Sequence, residues 1–155
     1  MIRILFICHG NICRSPMAEY IMKQLVHRKK TACTFEIASS ATSREEIGND
    51  MHPGARLKLQ QEGIPFAPRQ AVQLTKQDYG QYDLLIAMDN ENLYYISKII
   101  GEDTEHKVHL LLEYAPHEYT HGRTEVADPW YTGNFETTFD DILTGCTGLL
   151  DSLLH

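Results

Sequence analysis

Hydrophobic residues along the chain fall into four short runs separated by longer stretches with helical spacing. The runs lie at residues 3–7, 35–39, 83–88 and 108–112. They are predominantly apolar and do not alternate regularly between apolar and polar residues, which is typical of strands covered on both faces of a parallel sheet. We therefore predict one buried strand in each run.

Between and after these runs, apolar residues recur at intervals of four, which is the spacing of one helix face. Met17, Ile21 and Leu25 show this pattern. A proline at the start and a glycine just beyond the end, as at Pro53 and Gly63, mark helix boundaries. Helices are accordingly predicted at residues 16–28, from 53 to the stop at 63, after the Thr75-x-x-Asp78 capping box, at 92–100 before Gly101, and at 135–154.

Strands that alternate with helices predict an α/β fold with right-handed crossovers. The chain has 155 residues, of which 43% are hydrophobic, enough for one sizeable core. We predict a single doubly wound domain over residues 1–155, with a four-stranded parallel sheet and helices on both faces. Ligands bind at the carboxyl ends of the strands in such sheets, which directs attention to residues 8–15. The stretch 113–134 has no steady period, and long loops of this kind are often functional.

The composition argues against several classes of function. Fourteen lysine and arginine residues against 21 acidic ones give a formal charge of −7, and no basic run is present, so nucleic-acid binding is disfavoured. No apolar stretch approaches the roughly 20 residues of a membrane span, and the first run is too short for a signal peptide. Four cysteines without C-x-x-C spacing predict free thiols in a reducing, cytoplasmic compartment and no metal site.

The segment after the first predicted strand reads Cys-His-Gly-Asn-Ile-Cys-Arg-Ser-Pro from residue 8 to residue 16. A loop between a buried strand and a helix N-terminus presents backbone N–H groups to one point, where the helix adds positive partial charge. Gly10 permits close backbone approach or a positive φ, and Asn11 tolerates the left-handed region. Pro16 suits the first helical position, with Ser15 as the N-cap. The segment is therefore predicted to cradle a tetrahedral anion.

Two side chains give this cradle a chemical function. Cys8 lies at its base, where the N–H groups and Arg14 favour thiolate over thiol, and a thiolate facing a bound phosphorus is an in-line nucleophile. Arg14 offers a planar fork that can hold two phosphate oxygens and stabilise the transition state. Ser15 can donate to the sulfur when it becomes the leaving group. A zinc site from Cys8, His9 and Cys13 lacks a convincing fourth ligand, and a Walker loop would need Gly-Lys-Ser/Thr.

Residues 5–19 and the block Asp128-Pro129-Trp130-Tyr131 resemble the low-molecular-weight protein tyrosine phosphatases, and the resemblance covers nearly the whole chain. It implies hydrolysis of phosphotyrosine in proteins, and of small aryl phosphates, through a phosphocysteine intermediate without a cofactor. Cys8 would be the nucleophile, Arg14 the phosphate clamp and Asp128 the general acid for the leaving phenolate. The implied partner is a phosphotyrosine protein, the product of a tyrosine kinase, while the oligomeric state stays open.

The resemblance also implies roles for residues around the cradle. Ile12 would face the substrate ring, whereas related protein-arginine phosphatases carry threonine there. Ser39 would hydrogen-bond Asn11 and steady the loop, and Cys13 would form a reversible disulfide with Cys8 under oxidant. Substrate contacts are implied for His9, Gly10, Asn11, Ile12, Cys13, Ser15, Trp130 and Tyr131.

Two positions depart from the family pattern. Glu45 lies where many members carry tryptophan, and Arg69 lies where several carry histidine near the network that supports the loop. We expect these departures to affect substrate preference and to leave the core chemistry unchanged.

Two other functions would use the same cradle. Arsenate reduction needs further cysteines on a mobile segment, but residues 87–91 contain none, and Cys33 and Cys146 lie elsewhere. A phosphocysteine carrier or anion-binding module needs the cradle and the thiol but has no use for Asp128. The presence of Asp128 therefore favours an enzyme.

Overall fold

Four parallel strands form the centre of the molecule in the computed structural model, which describes residues 1–155. In chain order they are β1 (Ile2–Cys8), β2 (Phe35–Ala41), β3 (Leu84–Ala87) and β4 (Val108–Leu110). Their order in the sheet is β2-β1-β3-β4, and every neighbouring pair is parallel. The predicted strands and the parallel sheet are therefore confirmed.

Seven α-helices connect and follow the strands. They are α1 (Arg14–Lys29), α2 (Pro53–Gln61), α3 (Asp78–Gln81), α4 (Asn90–Ile100), α5 (His117–Thr120), α6 (Pro129–Thr132) and α7 (Phe135–Leu154). Every helix predicted from spacing is present, although α1 and α4 each begin two residues earlier than predicted. The short helices α5 and α6 lie inside 113–134, where no periodicity pointed to them. No helix has both the length and the apolar character needed to cross a membrane.

Helices cover both faces of the sheet, as predicted for a doubly wound fold. Successive residues of a strand point to opposite faces. Ile4 and Phe6 of β1 belong to a core cluster with buried residues of α1, α2 and α7. Leu5 and Ile7, on the opposite face, belong to a smaller cluster with α4. The sheet is therefore buried on both sides, which explains why its strands are predominantly apolar.

The strand order creates a switch point between β1 and β3. The chain passes from β1 through α1 to β2 on one side, whereas β3 pairs with β1 on the other side. The loops that leave the carboxyl ends of β1 and β3 therefore diverge and open a crevice, the usual ligand position in such sheets. Cys8 ends β1 at this crevice, and Asp89 follows β3 there.

β4 is shorter than the predicted segment 108–112. The chain leaves the sheet after Leu110 and forms a 3₁₀ helix over Leu111–Tyr114, which packs against α7. A Cβ atom at Gly148 of α7 would lie 1.8 Å from the carbonyl oxygen of Tyr114. Only glycine allows this approach, so the backbone contact fixes where α7 lies against the sheet.

We expect Gly148→Ala to lower the free energy of unfolding by about 1–3 kcal/mol, because the added methyl group forces the 3₁₀ helix away from α7. Gly80→Ala is the matched control, since a Cβ at Gly80 meets nothing within 4 Å. Urea unfolding of both variants measures the difference. Equal stability of the two variants would show that the close approach is not needed.

Candidate active site

The loop between β1 and α1, residues 8–15, turns sharply at Asn11. Asn11 has a φ of 58°, which places it in the left-handed region that asparagine tolerates better than most residues. Gly10 does not have a positive φ. A Cβ at Gly10 would instead lie 3.4 Å from the Glu46 side chain. Of the two roles predicted for Gly10, the positive φ is therefore wrong and the close backbone approach to an anion stays a prediction, while Asn11 supplies the turn.

The carbonyl groups of this loop are bonded to groups outside it. The carbonyls of Cys8 and His9 accept hydrogen bonds from the backbone N–H groups of Thr42 and Ser43, both at 3.0 Å. The carbonyl of Asn11 accepts from the Arg69 side chain at 2.7 Å, and that of Ile12 accepts from the backbone N–H of His52 at 2.8 Å. In contrast, the N–H groups of Gly10, Ile12 and Cys13 donate to no acceptor in the protein. Three N–H groups of the loop are therefore left without a partner in the protein, which is what the predicted anion-binding loop requires.

The Cys8 sulfur receives hydrogen bonds from the same loop. The backbone N–H groups of Asn11 and Ser15 lie 3.3 Å and 3.4 Å from Sγ, and the Ser15 hydroxyl lies 3.0 Å from it. Cys8 is only 4% exposed. Donors that converge on a sulfur stabilise its anionic form, because each hydrogen bond strengthens as negative charge develops on the acceptor.

The Ser15 side chain does not cap α1, and that prediction is wrong. The helix begins at Arg14, with Cys13 at the N-cap position and no side-chain cap. The Ser15 hydroxyl instead lies beside Cys8 and accepts a hydrogen bond of 2.8 Å from Asn11 Nδ2. Because α1 starts early, Ser15 and Arg14 lie in its first turn, directly below the loop.

Ser39 does not contact Asn11 directly, which corrects a second prediction. Its hydroxyl donates to Glu19 at 2.7 Å, whereas Arg69 donates to both the carbonyl and the side-chain oxygen of Asn11. Burial lowers the pKa of Arg69, while the negative charge of Glu19 acts in the opposite direction and favours the guanidinium. Ser39 therefore does not reach the loop itself, and it bonds a carboxylate whose negative charge acts on Arg69.

Arg14 is almost completely buried and held by three oxygens. Its guanidinium donates to the carbonyl of Val126 at 3.1 Å, and one nitrogen lies 2.9 Å from Asp89 and 3.4 Å from Asp128. Burial opposes its charge, but the negative charges of Cys8, Asp128 and Asp89 outweigh burial and raise its pKa. The guanidinium is therefore a fixed positive charge beside the loop.

Asp128 lies between Arg14 and the start of α6. One carboxylate oxygen accepts the backbone N–H of Trp130 at 3.0 Å, so Asp128 is the N-cap of α6, and the other faces Arg14. The preceding residue, Ala127, is held from both sides by α7. Its N–H donates to Asp141 at 3.1 Å, and its carbonyl accepts from Thr138 at 2.8 Å. These bonds fix the position from which Asp128 reaches the loop.

Asp141, which sequence reasoning missed, anchors this segment from inside the protein. It is fully buried and also binds the guanidinium of Arg123 and the hydroxyl of Tyr119. Burial and the bond to Asp141 raise the pKa of Tyr119 to about 12. A buried carboxylate with four such donors is stabilised well enough to act as a structural anchor.

The loop, Asp128 and the exposed aromatic residues surround one cavity of about 380 Å³. Its walls come from the segments that follow all four strands at the carboxyl end of the sheet: Cys8, His9, Gly10, Ile12, Cys13, Arg14, Glu45, Glu46, Asp89, Glu91, Asp128, Trp130 and Tyr131. Asn11 and Ser15 were predicted to contact substrate, but both are fully buried beneath the loop. Both residues contact the Cys8 sulfur, and neither lines the cavity.

Cys13 lines the same cavity as Cys8 but has a different environment. Burial, followed by the nearby charges of Cys8 and Asp128, raises the pKa of Cys13 to about 12. Cys13 is therefore a neutral thiol at physiological pH. No group of three or more histidine, cysteine, aspartate or glutamate side chains is arranged to hold a metal ion.

Asp89 lines the cavity but was not predicted as a site residue, although the sequence around it contains a clear helix-start pattern. Its side chain accepts the N–H of Asn92 at 2.8 Å, and the Asn92 side chain accepts the N–H of Asp89 at 3.1 Å. An aspartate followed three residues later by asparagine, directly after a strand at the switch point, is a readable helix start. Its second role, the ion pair with Arg14, is a tertiary contact.

Comparisons with known proteins agree with this geometry. The model of the family described as "Low molecular weight phosphotyrosine protein phosphatase" matches residues 3–155. The low molecular weight protein-tyrosine-phosphatase YfkJ of Bacillus subtilis is 39% identical, over 99% of this chain and 96% of its own, and its crystal structure superposes with a TM-score of 0.93. PtpA of Staphylococcus epidermidis is 34% identical over 99% of this chain and 95% of its own. The crystal structure of SP-PTP from Streptococcus pyogenes is 33% identical, with a TM-score of 0.87, over 100% of this chain and 95% of that one.

We expect Arg69→Lys to raise the dissociation constant for inorganic phosphate about five- to ten-fold. A lysine cannot bond both oxygens of Asn11, so the loop holds its left-handed turn less firmly. Arg44→Lys is the matched control, because Arg44 is exposed and bonds only Gln73. The dependence of the melting temperature on phosphate concentration gives both constants. An unchanged constant for Arg69→Lys would contradict this role.

Proposed function

The chain belongs to the low molecular weight phosphotyrosine protein phosphatase family, and we propose that Cys8 is its nucleophile, Arg14 its phosphate clamp and Asp128 its general acid. The protein hydrolyses phosphotyrosine in proteins, which is the activity that the names of its relatives describe. One observation carries the assignment of roles. Two backbone N–H groups donate to the Cys8 sulfur and the Ser15 hydroxyl lies 3.0 Å from it, at the base of a loop whose N–H groups at Gly10, Ile12 and Cys13 have no acceptor in the protein.

In the first step, the Cys8 sulfur attacks phosphorus in line with the bond to the tyrosine oxygen. The P–S bond forms as the P–O bond breaks, and Asp128 transfers its proton to the leaving phenolate oxygen. The loop N–H groups and Arg14 bind the three equatorial oxygens, where negative charge is spread in the transition state. Asp89 keeps the guanidinium in position through its ion pair of 2.9 Å.

In the second step, a water molecule attacks the phosphorus of phosphocysteine. Asp128 accepts a proton from this water, the P–S bond breaks, and the sulfur leaves as a thiolate. The N–H groups of Asn11 and Ser15 and the Ser15 hydroxyl stabilise that thiolate. Inorganic phosphate then dissociates, and the enzyme returns to its starting state. No cofactor takes part in either step.

Substrate contacts come from the cavity walls. His9, Gly10, Ile12 and Cys13 line the cavity at the loop, and Trp130 and Tyr131 line it at the mouth. Trp130 is 63% exposed and Tyr131 85% exposed, so both rings are accessible to the aromatic ring of phosphotyrosine. Ile12 offers an apolar surface to the same ring, which favours an aryl phosphate over a charged phosphoguanidinium.

The substrates are phosphoproteins, and phosphotyrosine in them is formed by a tyrosine kinase. We assign residues 1–155 to one phosphatase domain, and the family match over residues 3–155 supports this assignment. All four cysteines are free thiols, as the reaction requires of Cys8. A reducing compartment keeps them so, and the cytoplasm is such a compartment.

The two alternative functions have less support. An arsenate reductase would need further cysteines that react one after another, starting at Cys8. Cys146 is fully buried in the core, and burial raises its pKa. Cys33 is exposed in the connection between α1 and β2. A carrier would not need a carboxylic acid beside the clamp, yet Asp128 lines the cavity and contacts Arg14.

We expect Asp128→Asn to lower kcat about 10²–10⁴-fold on phenyl phosphate or a phosphotyrosine peptide, because these leaving groups need a proton. The loss on p-nitrophenyl phosphate should be much smaller, since nitrophenolate leaves without protonation. Cys8→Ser should abolish turnover of all three substrates. Equal losses for both kinds of leaving group in Asp128→Asn would contradict the assigned role of the acid.

We also propose that Cys13 protects Cys8 from irreversible oxidation. Peroxide converts the Cys8 thiolate to a sulfenic acid, and Cys13 sulfur then displaces water to form a disulfide. Because the pKa of Cys13 is about 12, disulfide closure should accelerate as pH rises from 7 to 9. Mass spectrometry after mild peroxide should find a Cys8–Cys13 link, and sulfinic acid at Cys8 in Cys13→Ser. Sulfinic acid at Cys8 of the unmodified protein, without the disulfide, would contradict the proposal.

A further inference from the structure

The mouth of the catalytic cavity carries more negative than positive charge. Five carboxylates line the cavity, whereas Arg14 and His9 are its only basic residues. Two of the five, Asp89 and Asp128, contact Arg14 and offset its charge. The other three are Glu45, Glu46 and Glu91, and none of them contacts a lysine or an arginine.

Glu45 and Glu91 lie on either side of the His9 ring. Glu45 is 2.9 Å from Nε2, and Glu91 is 3.8 Å from Nδ1. Their side chains are 69% and 66% exposed, so both carboxylates also face solvent. Arg44, next to Glu45 in the chain, bonds Gln73 instead. The single imidazole of His9 can offset the negative charge of at most one of these two glutamates. The rim therefore keeps a net negative charge.

This charge acts on the residues beside phosphotyrosine in a substrate. The phosphate enters the loop, where N–H groups and Arg14 offset its charge, but the flanking residues stay at the mouth. Neighbouring residues of an extended peptide are about 3.3–3.6 Å apart, so a flanking lysine or arginine is within side-chain reach of the rim. A flanking glutamate would be repelled by the same carboxylates.

We propose that Glu45 and Glu91 make this enzyme select phosphotyrosine that is flanked by basic residues. This inference rests on the proposed function, because it concerns the substrate of the same cavity. Glu45 is one of the two departures from the family pattern, and its place at the rim gives that departure a physical meaning. The rim glutamates are specificity-determining residues and take no part in bond making or breaking.

The test compares two phosphotyrosine peptides of equal length, one with two lysines on each side of phosphotyrosine and one with two glutamates. At about 0.02 M salt, kcat/KM should be about ten-fold higher for the lysine peptide, mainly through KM. The preference should fall towards equality at about 0.5 M salt, because screening then acts over about 4 Å. Equal kcat/KM at low salt would overturn the proposal.

Variants separate the rim from the overall charge of the protein. In the double variant Glu45→Gln, Glu91→Gln, the preference should fall to about two-fold. Glu102→Gln, Glu118→Gln is the matched control with the same change in net charge, at residues that do not line the cavity. The control should keep the full preference, and an equal loss in the control would overturn the proposal. Failure of the proposed function would look different, since neither peptide would then be hydrolysed.

Discussion

The whole site depends on one arrangement of the backbone. Four carbonyl groups of the loop after β1 are bonded outwards, whereas the N–H groups of Asn11 and Ser15 bond the Cys8 sulfur and those of Gly10, Ile12 and Cys13 have no acceptor in the protein. The bonds come from the segments after β2, from the start of α2 and from Arg69, all of which meet at the carboxyl end of the sheet. The loop therefore keeps its shape only because the fold brings these partners together.

Charge is arranged in layers around that loop. Arg14 lies deepest and is almost fully buried, and the pair Asp89 and Asp128 offsets its charge. Asp141 holds the Asp128 segment from within the core, so the position of Asp128, the proposed general acid, is set by bonds from α7 to the preceding residue. The exposed glutamates form the outer layer. In the proposed function, a bound phosphate changes the balance of the inner layer, and the outer layer is the part that we propose acts on the substrate chain.

The sequence was sufficient to predict the sheet, the helices α1 to α4 and α7, and the position of the cavity, because these depend on apolar spacing, on helix-boundary residues and on the segment 8–16; it did not predict the short helices α5 and α6. It was also sufficient for the turn at Asn11, since few residues other than glycine accept a positive φ. The partners of the loop could not be predicted in this way. Arg69 contacts Asn11 from 58 residues away, and no local pattern reports such a contact. Ser39 and Ser15 were assigned bonds that the structure gives to other groups, since a hydroxyl can bond several neighbours and only the fold selects among them.

The most direct test of the account is to identify the atom that carries the phosphoryl group during turnover. The enzyme is mixed with a phosphotyrosine peptide, denatured within milliseconds in alkaline detergent, and digested for mass spectrometry. The account predicts a phosphoryl group on the sulfur of Cys8 and on no other residue. A phosphoryl group on His9, or turnover with no phosphorylated enzyme at any time, would contradict it.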